Sequence, residues 1–349
     1  MFVAVNPFIP LLRKRLCHSA RFALAMGVAL LAVHVPAAAL TVLMGDELAA
    51  HSEFVQHLRA GQEPGSRFEL VRLSPGGADL PQPTETAGAD PDQRSANAGV
   101  RTRSMRALAA DANLTMAVGL PAARAALDRP GQQPLVLAML SRIDYENLRA
   151  ASPALRRGDR RVGVLLRDPA MADQLALVAA VLPQKPRIGV VATPESEPLV
   201  RELQRAAQGG GAAWDVQVEY APDAKSLAAS LRAVVPRSDA LMVLPDLIGD
   251  SQAATLSVLR AGAEAGLPVF GASEGLVRSG GLAAAVSTPA QLAQQARLLG
   301  QKLAGTGGAG PLVESATPAA VRVNATVARG LGLRVLEERE LAERLTVTR

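Results

Sequence analysis

The stretch Asp239-Ala-Leu-Met-Val-Leu-Pro-Asp246 indicates the fold most directly, because its apolar run has no polar alternation. A helical pattern follows at 251–265, and Gly266 stands where that helix should end. A second apolar run, Pro268-Val-Phe-Gly271, comes next. Continuous apolar runs are typical of strands that are buried on both faces, as in parallel sheets. A strand–helix–strand unit is therefore predicted here.

The same unit recurs on both sides of this stretch. Apolar runs predict eleven strands, at 40–44, 68–73, 114–119, 135–140, 161–166, 187–191, 215–220, 240–244, 268–271, 282–286 and 321–324. Helical patterns lie between them, among them 169–182, 195–208, 223–235, 251–265 and 289–304. Pro169 and Pro289 suit the first turn of their helices, and Thr288 is a candidate N-cap. Because eleven strands exceed one ordinary sheet, the pattern predicts an α/β protein with two Rossmann-like lobes of parallel strands.

The N-terminus has the three parts of a secretory signal peptide. Four basic residues, the last of them Arg21, precede an apolar run at 22–33. That run is shorter than the roughly 20 residues that span a bilayer. It ends in Pro36-Ala-Ala-Ala39, which offers small residues for cleavage. We therefore expect residues 1–39 to be a signal peptide and the mature protein to reside in the periplasm; an uncleaved anchor or a buried helix is the alternative.

The composition narrows the function classes. Residues 1–39 hold four basic residues and no acidic one, so without them the net charge falls from +5 to +1. The overall charge therefore gives no reason to expect a nucleic-acid partner, and an aromatic content of 3% disfavours base stacking. Cys17 is the only cysteine and lies within the predicted signal peptide, which suits an oxidising compartment.

Two motifs resemble catalytic or cofactor-binding sequences, but neither has the surrounding residues that such a site requires. Gly271-Ala-Ser-Glu-Gly275 has the spacing of a nucleophile elbow, but the last histidine in the chain is His57, so the base expected after Ser273 is missing. The glycines at 305, 307 and 310 follow a predicted helix and lead into Pro311, whereas a dinucleotide loop precedes its helix. We therefore predict neither an enzyme nor a bound cofactor.

A metal site is not expected either. His51 and His57 lie six residues apart, whereas metal-binding pairs on one helix face are usually three or four apart. Both are interpreted as surface residues.

The second half of the chain resembles the ABC-transporter substrate-binding protein family that includes tryptophan- and tyrosine-type binders. The resemblance rests on Asp239–Asp246 with the later Ala265-Gly-Leu-Pro-Val-Phe-Gly-Ala-Ser-Glu-Gly-Leu-Val-Arg-Ser-Gly-Gly-Leu-Ala-Ala284. It extends to Leu175-Ala-Leu-Val-Ala-Ala-Val-Leu-Pro183 with Arg187-Ile-Gly-Val-Val191, and to the helix at 291–303. It closes with Val321-Arg-Val-Asn-Ala-Thr-Val-Ala-Arg-Gly-Leu-Gly-Leu333. The match covers residues 114–345 well and residues 40–73 loosely.

This resemblance implies a type I periplasmic-binding fold, in which two lobes are joined by three crossovers and clamp a ligand. We expect the crossovers near Asp159, Ser287 and Thr317. The first lobe would contain 40–159 plus 287–316, and the second 160–286 plus 317–349. The segment 74–99, rich in proline and glycine, is interpreted as a solvated insertion in the first lobe, with a ligand-gating lid as the less favoured alternative.

The implied cleft would be lined by the loops after the strands. The candidate ligand-binding residues are Gly45, Asp46, Glu47, Gly119, Leu120, Pro121, Ser141, Arg142, Asp168, Thr193, Asp246, Ser273 and Glu274. Such loops present helix N-terminal N–H groups and short polar side chains, which suit carboxylate or amide ligands. Arg142 is a candidate partner for an acidic ligand. For each residue alone, a capping or turn role is the competing interpretation.

The predicted function is that of a periplasmic solute-binding protein of an ABC importer, with a small organic solute and an inner-membrane permease as partners. An aromatic solute is disfavoured, because Trp214, Tyr145 and Tyr220 all lie outside the candidate loops. The alternative is an accessory or interaction protein on the same fold with reduced or lost ligand binding, linked to an outer-membrane receptor system.

Overall fold

The described part of the chain forms two six-stranded sheets, each covered by helices. The computed structural model describes residues 39–63, 66–73, 113–158, 160–182, 184, 187–209, 214–305, 310–318 and 320–347. All of them belong to one compact unit, Pro36–Arg349. The predicted signal peptide, apart from Ala39, and the predicted insertion at 74–99 lie outside the described residues. Within the ranges described, no helix is both long and apolar enough to span a bilayer.

The strands are β1 (Ala39–Met44), β2 (Arg67–Arg72), β3 (Asn113–Val118), β4 (Leu135–Leu140), β5 (Val162–Pro169), β6 (Arg187–Ala192), β7 (Asp215–Tyr220), β8 (Ala240–Met242), β9 (Val269–Gly271), β10 (Ala283–Val286), β11 (Leu312–Ala316) and β12 (Ala320–Val323). The helices are α1 (Ala49–Ala60), α2 (Leu120–Leu127), α3 (Arg142–Ala151), α4 (Pro153–Arg157), α5 (Met171–Val181), α6 (Glu197–Gly209), α7 (Ala224–Val234), α8 (Leu247–Asp250), α9 (Gln252–Ala265), α10 (Glu274–Arg278), α11 (Pro289–Gly305), α12 (Ala325–Gly330) and α13 (Glu338–Val347).

The first sheet has the strand order β11-β5-β4-β3-β1-β2, and its neighbouring strands are all parallel. All six residues of β4 are buried, as its continuous apolar sequence predicts. On one face α1 and α11 contribute Phe54 and Leu299 to the core, and on the other α2 and α3 contribute Leu127 and Leu148. This sheet and its helices form the first lobe.

The second sheet has the order β12-β10-β9-β8-β6-β7, with β12 antiparallel to β10 and the remaining pairs parallel. Leu175 of α5 and Leu203 of α6 pack on one face, and Leu231 of α7 and Leu259 of α9 pack on the other. This sheet and its helices form the second lobe. The α/β architecture with two Rossmann-like lobes is confirmed.

The chain changes lobe after Pro169, between β10 and α11, and between β11 and β12. The first change differs from the expected crossover near Asp159, because β5 pairs with β4 and β11 of the first sheet and so belongs to the first lobe. Gly158, with φ of +70°, caps α4 in the left-handed conformation and turns the chain into β5. Such a glycine turn gives the same local signal whether the next strand joins the same sheet or another.

The edge strand β11 is absent from the predicted strands. It follows Pro311 and contains Glu314 and Ser315, so it shows no continuous apolar run. Pro169 also differs from the expectation, since it ends β5 instead of opening a helix. The predicted start of α11 is confirmed, because the Oγ1 atom of Thr288 accepts a hydrogen bond from the N–H of Gln291 at 3.3 Å.

Candidate functional site

The carboxyl ends of β5, β8 and β9 meet around a cavity of about 220 Å³ where the two sheets adjoin. Ligands of open α/β folds bind at this edge of the strands. The first lobe contributes Arg167 and Asp168, and the second contributes residues that follow β8 and β9. The full lining is Arg167, Asp168, Val243, Leu244, Pro245, Gly249, Asp250, Ala272, Ser273 and Leu276. Two of the predicted residues, Asp168 and Ser273, therefore lie together here.

Asp168 is the unusual group of this cavity. Its side chain is only 18% exposed, and its Oδ2 atom is buried and makes no hydrogen bond of good geometry. The nearest cation is the guanidinium of Arg167, whose Nε lies 3.5 Å from that oxygen. Burial raises the pKa of Asp168 to about 6, and the attraction of Arg167 opposes this only in part. A buried carboxylate without a full set of donors is costly, and a carboxyl with a raised pKa in a cleft is a candidate functional group.

Arg167 connects the two lobes through charge. Its Nη2 atom lies 3.3 Å from Oδ2 of Asp250, at the end of α8, while its Nε faces Asp168. One guanidinium is therefore shared between a carboxylate of the first lobe and one of the second. Neither Arg167 nor Asp250 was among the predicted site residues, although Arg167 directly precedes Asp168 and the adjacency was a usable signal.

Arg142 occupies a different place from the one expected for a ligand partner. Its Nε donates to Oε2 of Glu202, on α6 of the second lobe, at 3.0 Å, and both side chains are largely buried. The Oε1 atom of Glu202 accepts a hydrogen bond from the backbone N–H of Met171 at 3.1 Å. Glu202 thus joins α3 of the first lobe to the start of α5, just past the first change of lobe. Arg142 serves this link and does not line the cavity.

Ser141 caps α3. Its Oγ accepts from the N–H of Asp144 at 3.0 Å, while Oδ2 of Asp144 accepts from the N–H of Ser141 at 3.1 Å. This is a capping box, and it starts the helix that carries Arg142.

Just before it, Met139 has φ of +62°, and the pairing of β4 with β5 shifts register between Ala138 and Leu140. A positive φ at a non-glycine residue is strained and is found at functional sites.

Thr193 and Asp246 belong to one buried polar network. The hydroxyls of Thr193 and Ser196 lie 2.8 Å apart, and Ser196 Oγ donates to Oδ2 of Asp246. Oδ1 of Asp246 accepts from the N–H groups of Ile248 and Gly249 at 2.9 and 3.0 Å. Burial raises the pKa of Asp246, and these donors oppose the rise. Asp246 therefore acts by positioning α8, whose Gly249 and Asp250 line the cavity.

The loops after β1 and β3 pack against each other. Asp46 Oδ1 and His51 Nδ1 form a hydrogen bond. Gly119 has φ of +80°, and a Cβ atom there would lie 2.7 Å from Cε1 of His51. A Cβ on Gly45 would lie 2.7 Å from Cβ of Pro121. These glycines are required by close approach, and Leu120 begins α2 beside them.

The interpretation of His51 as a surface residue is wrong, since only 5% of it is exposed. Its hydrogen-bond partner Asp46 makes the burial possible and lies five residues earlier in the chain. From the sequence, only the spacing between the two histidines was considered, so this partner was missed. His57 is exposed, as expected.

Of the last predicted residues, Glu47 and Glu274 form surface links, whereas Ser273 caps a helix. Glu47 lies 3.8 Å from Arg72, and both side chains are mostly exposed. Glu274 pairs with Arg322 at 2.7 Å and with Arg278 at 3.2 Å. Ser273 is the N-cap of α10, because its Oγ accepts from the N–H of Leu276 at 3.1 Å. The glycine–serine turn at 271–275 is thus a strand-to-helix turn at the edge of the cavity.

The chain matches the family model described as ABC transporter substrate binding protein over residues 97–343. No curated protein matches the chain significantly.

Three solved structures share the fold. A Streptococcus pneumoniae ABC domain in complex with L-Trp is 17% identical, with a TM-score of 0.51, and the alignment covers 88% of this chain and 98% of that one. A Vibrio cholerae conserved domain protein is 20% identical, with a TM-score of 0.51 and coverage of 88% and 98%. The open, ligand-free form of a Clostridium difficile substrate binding protein with adhesive properties is 15% identical, with a TM-score of 0.58 and coverage of 86% and 96%.

At these identities the structural likeness establishes the type I periplasmic-binding fold. None of the three descriptions mentions an outer-membrane receptor, so that expected partner gains no support. The family and the fold are those of substrate-binding proteins and not of enzymes. Since the family model spans more than two thirds of the sequence, the chain belongs to the ABC transporter substrate binding protein family.

Proposed function

We propose that this protein is the solute-binding component of an ABC importer, which captures a small organic solute between its two lobes and delivers it to an inner-membrane permease. One observation carries the proposal: the cavity where the lobes adjoin contains a buried carboxylate oxygen of Asp168 whose nearest donor, Nε of Arg167, lies as far away as 3.5 Å. A bound solute that donates to this oxygen would remove the cost of leaving it unsatisfied.

The contacts between the lobes support closure on a solute. Arg167–Asp250 and Arg142–Glu202 each join a side chain of the first lobe to one of the second. Such pairs form in one arrangement of the lobes and separate in another, so a solute at their junction favours the arrangement that closes on it. The basic residues and apolar run within 1–39 support export to the periplasm, where a permease would receive the solute.

Equilibrium dialysis against a low-molecular-weight bacterial extract tests this function although the solute is unidentified. The protein is first unfolded, dialysed and refolded to remove any bound molecule. After dialysis against the extract it is washed and denatured, and the released small molecules are identified by mass spectrometry. The proposal predicts one solute, or a few related ones, at close to one molecule per chain.

Two variants control this experiment. Ala272→Phe places a ring in the cavity and is expected to abolish retention, because Ala272 lines it. Ala253→Phe makes the same change at an exposed position of α9 and is expected to leave retention unchanged. Retention of no solute by the wild-type protein, or equal retention by Ala272→Phe, would contradict the proposal and favour an interaction protein without ligand binding.

A further inference from the structure

We propose that one end of the first lobe is a docking surface for an anionic lipid bilayer. This surface, the basic face, consists of the segments 128–134, 156–161 and 302–314, which lie around the starts of β4, β5 and β11. Strand β5 runs from the basic face towards Arg167 and Asp168, so the length of the sheet separates this face from the cavity between the lobes. The inference concerns a surface that the solute-binding function does not use.

The register of the first sheet brings these three segments together. Leu135 of β4 is aligned with Val162 of β5, and Gly163 is aligned with Leu312 of β11. The three strands are parallel and begin at the same level, so the segments that lead into them are neighbours at one edge of the sheet.

Contacts of two arginines confirm that the segments meet. The guanidinium of Arg160 donates to the carbonyl of Ala126 in the last turn of α2 at 3.1 Å and to the carbonyl of Gln133 at 2.7 Å. Arg161 reaches the last turn of α11, where its Nη1 donates to the carbonyl of Leu303 at 3.2 Å. These carbonyl groups are neutral, so the contacts fix the position of each guanidinium and leave its charge in place.

The basic face carries more positive charge than residues 40–349 as a whole. In sequence, its three segments contain six basic and three acidic residues, a net charge of +3, whereas residues 40–349 together carry +1. One of the acidic residues, Glu314, is paired with Lys302 at 2.7 Å. The basic residues are Arg129, Arg156, Arg157, Arg160, Arg161 and Lys302.

Two of these arginines have no contact that explains them. Arg129 follows α2 and Arg157 ends α4, and both are exposed. Within the described chain, neither forms an ion pair or a side-chain hydrogen bond. Both guanidinium groups are therefore accessible to an anionic partner.

The composition of the face favours lipid headgroups over a protein partner. Among the large apolar side chains that are exposed in the described chain, only Leu312 lies here, and the loop 130–133 is Pro-Gly-Gln-Gln. Protein interfaces are built around a core of apolar and aromatic side chains. Anionic headgroups require only accessible cations, each of which strengthens binding about fivefold near the surface.

The connection to the N-terminal residues points to the same partner. Residues 1–38 join the described chain at Ala39, the first residue of β1, and β1 begins at the same edge of the first sheet. β1 lies two strands from β4, a distance of about 10 Å. The apolar run 22–33 is only five residues from Ala39 in sequence. A protein held at a membrane through this run would meet the bilayer with this end of the first lobe.

Vesicle flotation tests the basic face. Protein consisting of residues 36–349, the compact unit, is used so that the apolar run does not contribute. Vesicles of phosphatidylcholine alone are compared with vesicles that contain about 30% phosphatidylglycerol, at about 0.1 M salt, where charges act over about 10 Å. We expect binding to the anionic vesicles to be tighter by on the order of a hundredfold, as a net charge of +3 implies, and this preference to disappear at about 1 M salt.

Two double variants measure the contribution of the exposed arginines. Arg129→Gln with Arg157→Gln should weaken binding to the anionic vesicles about thirtyfold, the size expected for two cations. Arg129→Glu with Arg157→Glu brings the net charge of the face to −1 and should abolish the preference. The matched control, Arg232→Glu with Arg260→Glu, makes the same change at exposed positions of α7 and α9 in the second lobe and should bind as the wild type does. Urea unfolding shows whether each variant has folded.

The other outcomes overturn the proposal. Equal binding to the two kinds of vesicle, or an equal loss of binding in the control variant, would show that the basic face does not recognise a bilayer. Binding to polyglutamate without binding to either kind of vesicle would also overturn the proposal and assign the face to an acidic protein partner.

Discussion

Replacing Asp168 with asparagine is expected to stabilise the solute-free protein at neutral pH. Burial raises the pKa of this carboxyl to about 6 in the folded protein, against an ordinary value of 3.8. At about 1.4 kcal/mol per pKa unit, the ionised carboxylate costs the folded state about 3 kcal/mol. An asparagine carries no charge and does not incur this cost.

The sign of the pH dependence follows from the two pKa values. Well below pH 4 the carboxyl is protonated in both states, so it contributes nothing. As the pH rises towards 6, the unfolded chain releases the proton while the folded protein keeps it, so the free energy of unfolding falls. Above pH 6 both states are ionised and the full cost is present. This is the reverse of the usual salt-bridged carboxylate.

Urea unfolding at pH 4, 5, 6 and 7.5 measures the effect on refolded, solute-free protein. Asp168→Asn should exceed the wild type's free energy of unfolding by less than about 1 kcal/mol at pH 4 and by up to about 3 kcal/mol at pH 7.5. Asp128→Asn should follow the wild type throughout, since Asp128 is exposed. If Asp168→Asn is the less stable protein at pH 7.5, or follows the wild-type pH profile, the reasoning about the buried carboxylate is refuted.

Three further substitutions, the last with a matched control, test contacts that hold the two lobes and their sheets. Asp246→Ala removes the acceptor of two backbone N–H groups and of the Ser196 hydroxyl, so we expect urea unfolding to show a free energy of unfolding lower by about 3 kcal/mol. A decrease below about 1 kcal/mol would contradict its positioning role. Glu202→Gln removes the charge that faces Arg142, so we expect the free energy of unfolding to fall by about 2 kcal/mol and the Met171 amide to exchange its hydrogen faster. Unchanged exchange would argue against a link between the lobes. Gly189→Ala would place a Cβ atom 2.2 Å from Oγ of Ser238, so we expect a loss of at least about 1–3 kcal/mol, whereas Gly209→Ala, with open space around it, should be close to neutral.

The strands were the most predictable part of the fold. Runs such as the one in β4 are apolar at every position because the strand is buried on both faces, and that signal is local. The edge strand β11 has no such run, since one side of an edge strand meets no neighbouring strand. Because β11 was not predicted, its pairing with β5 was missed, and the predicted boundary fell next to the glycine turn at Gly158.

The sequence predicted where the site residues lie but not which side chains pair with them. The end of a parallel strand identifies where Asp168 and Ser273 lie, because that edge is set by the fold. Arg142 and Glu202 are sixty residues apart, and only the three-dimensional structure brings them together. Asp246 combines both kinds of contact: its capping of α8 is local, whereas its partner Ser196 lies fifty residues earlier in the chain. Long-range partners decide which polar side chains remain able to bind a solute, and local sequence patterns do not contain them.

Hydrogen exchange with and without the low-molecular-weight extract tests most directly whether a solute is held between the lobes. Peptides covering 162–169 report on the first lobe, and peptides covering 243–250 and 271–277 report on the second. The account predicts slower exchange in all three segments when the extract is present, and no change in the Ala272→Phe variant. Protection confined to one lobe, or absent from all three segments, would contradict it.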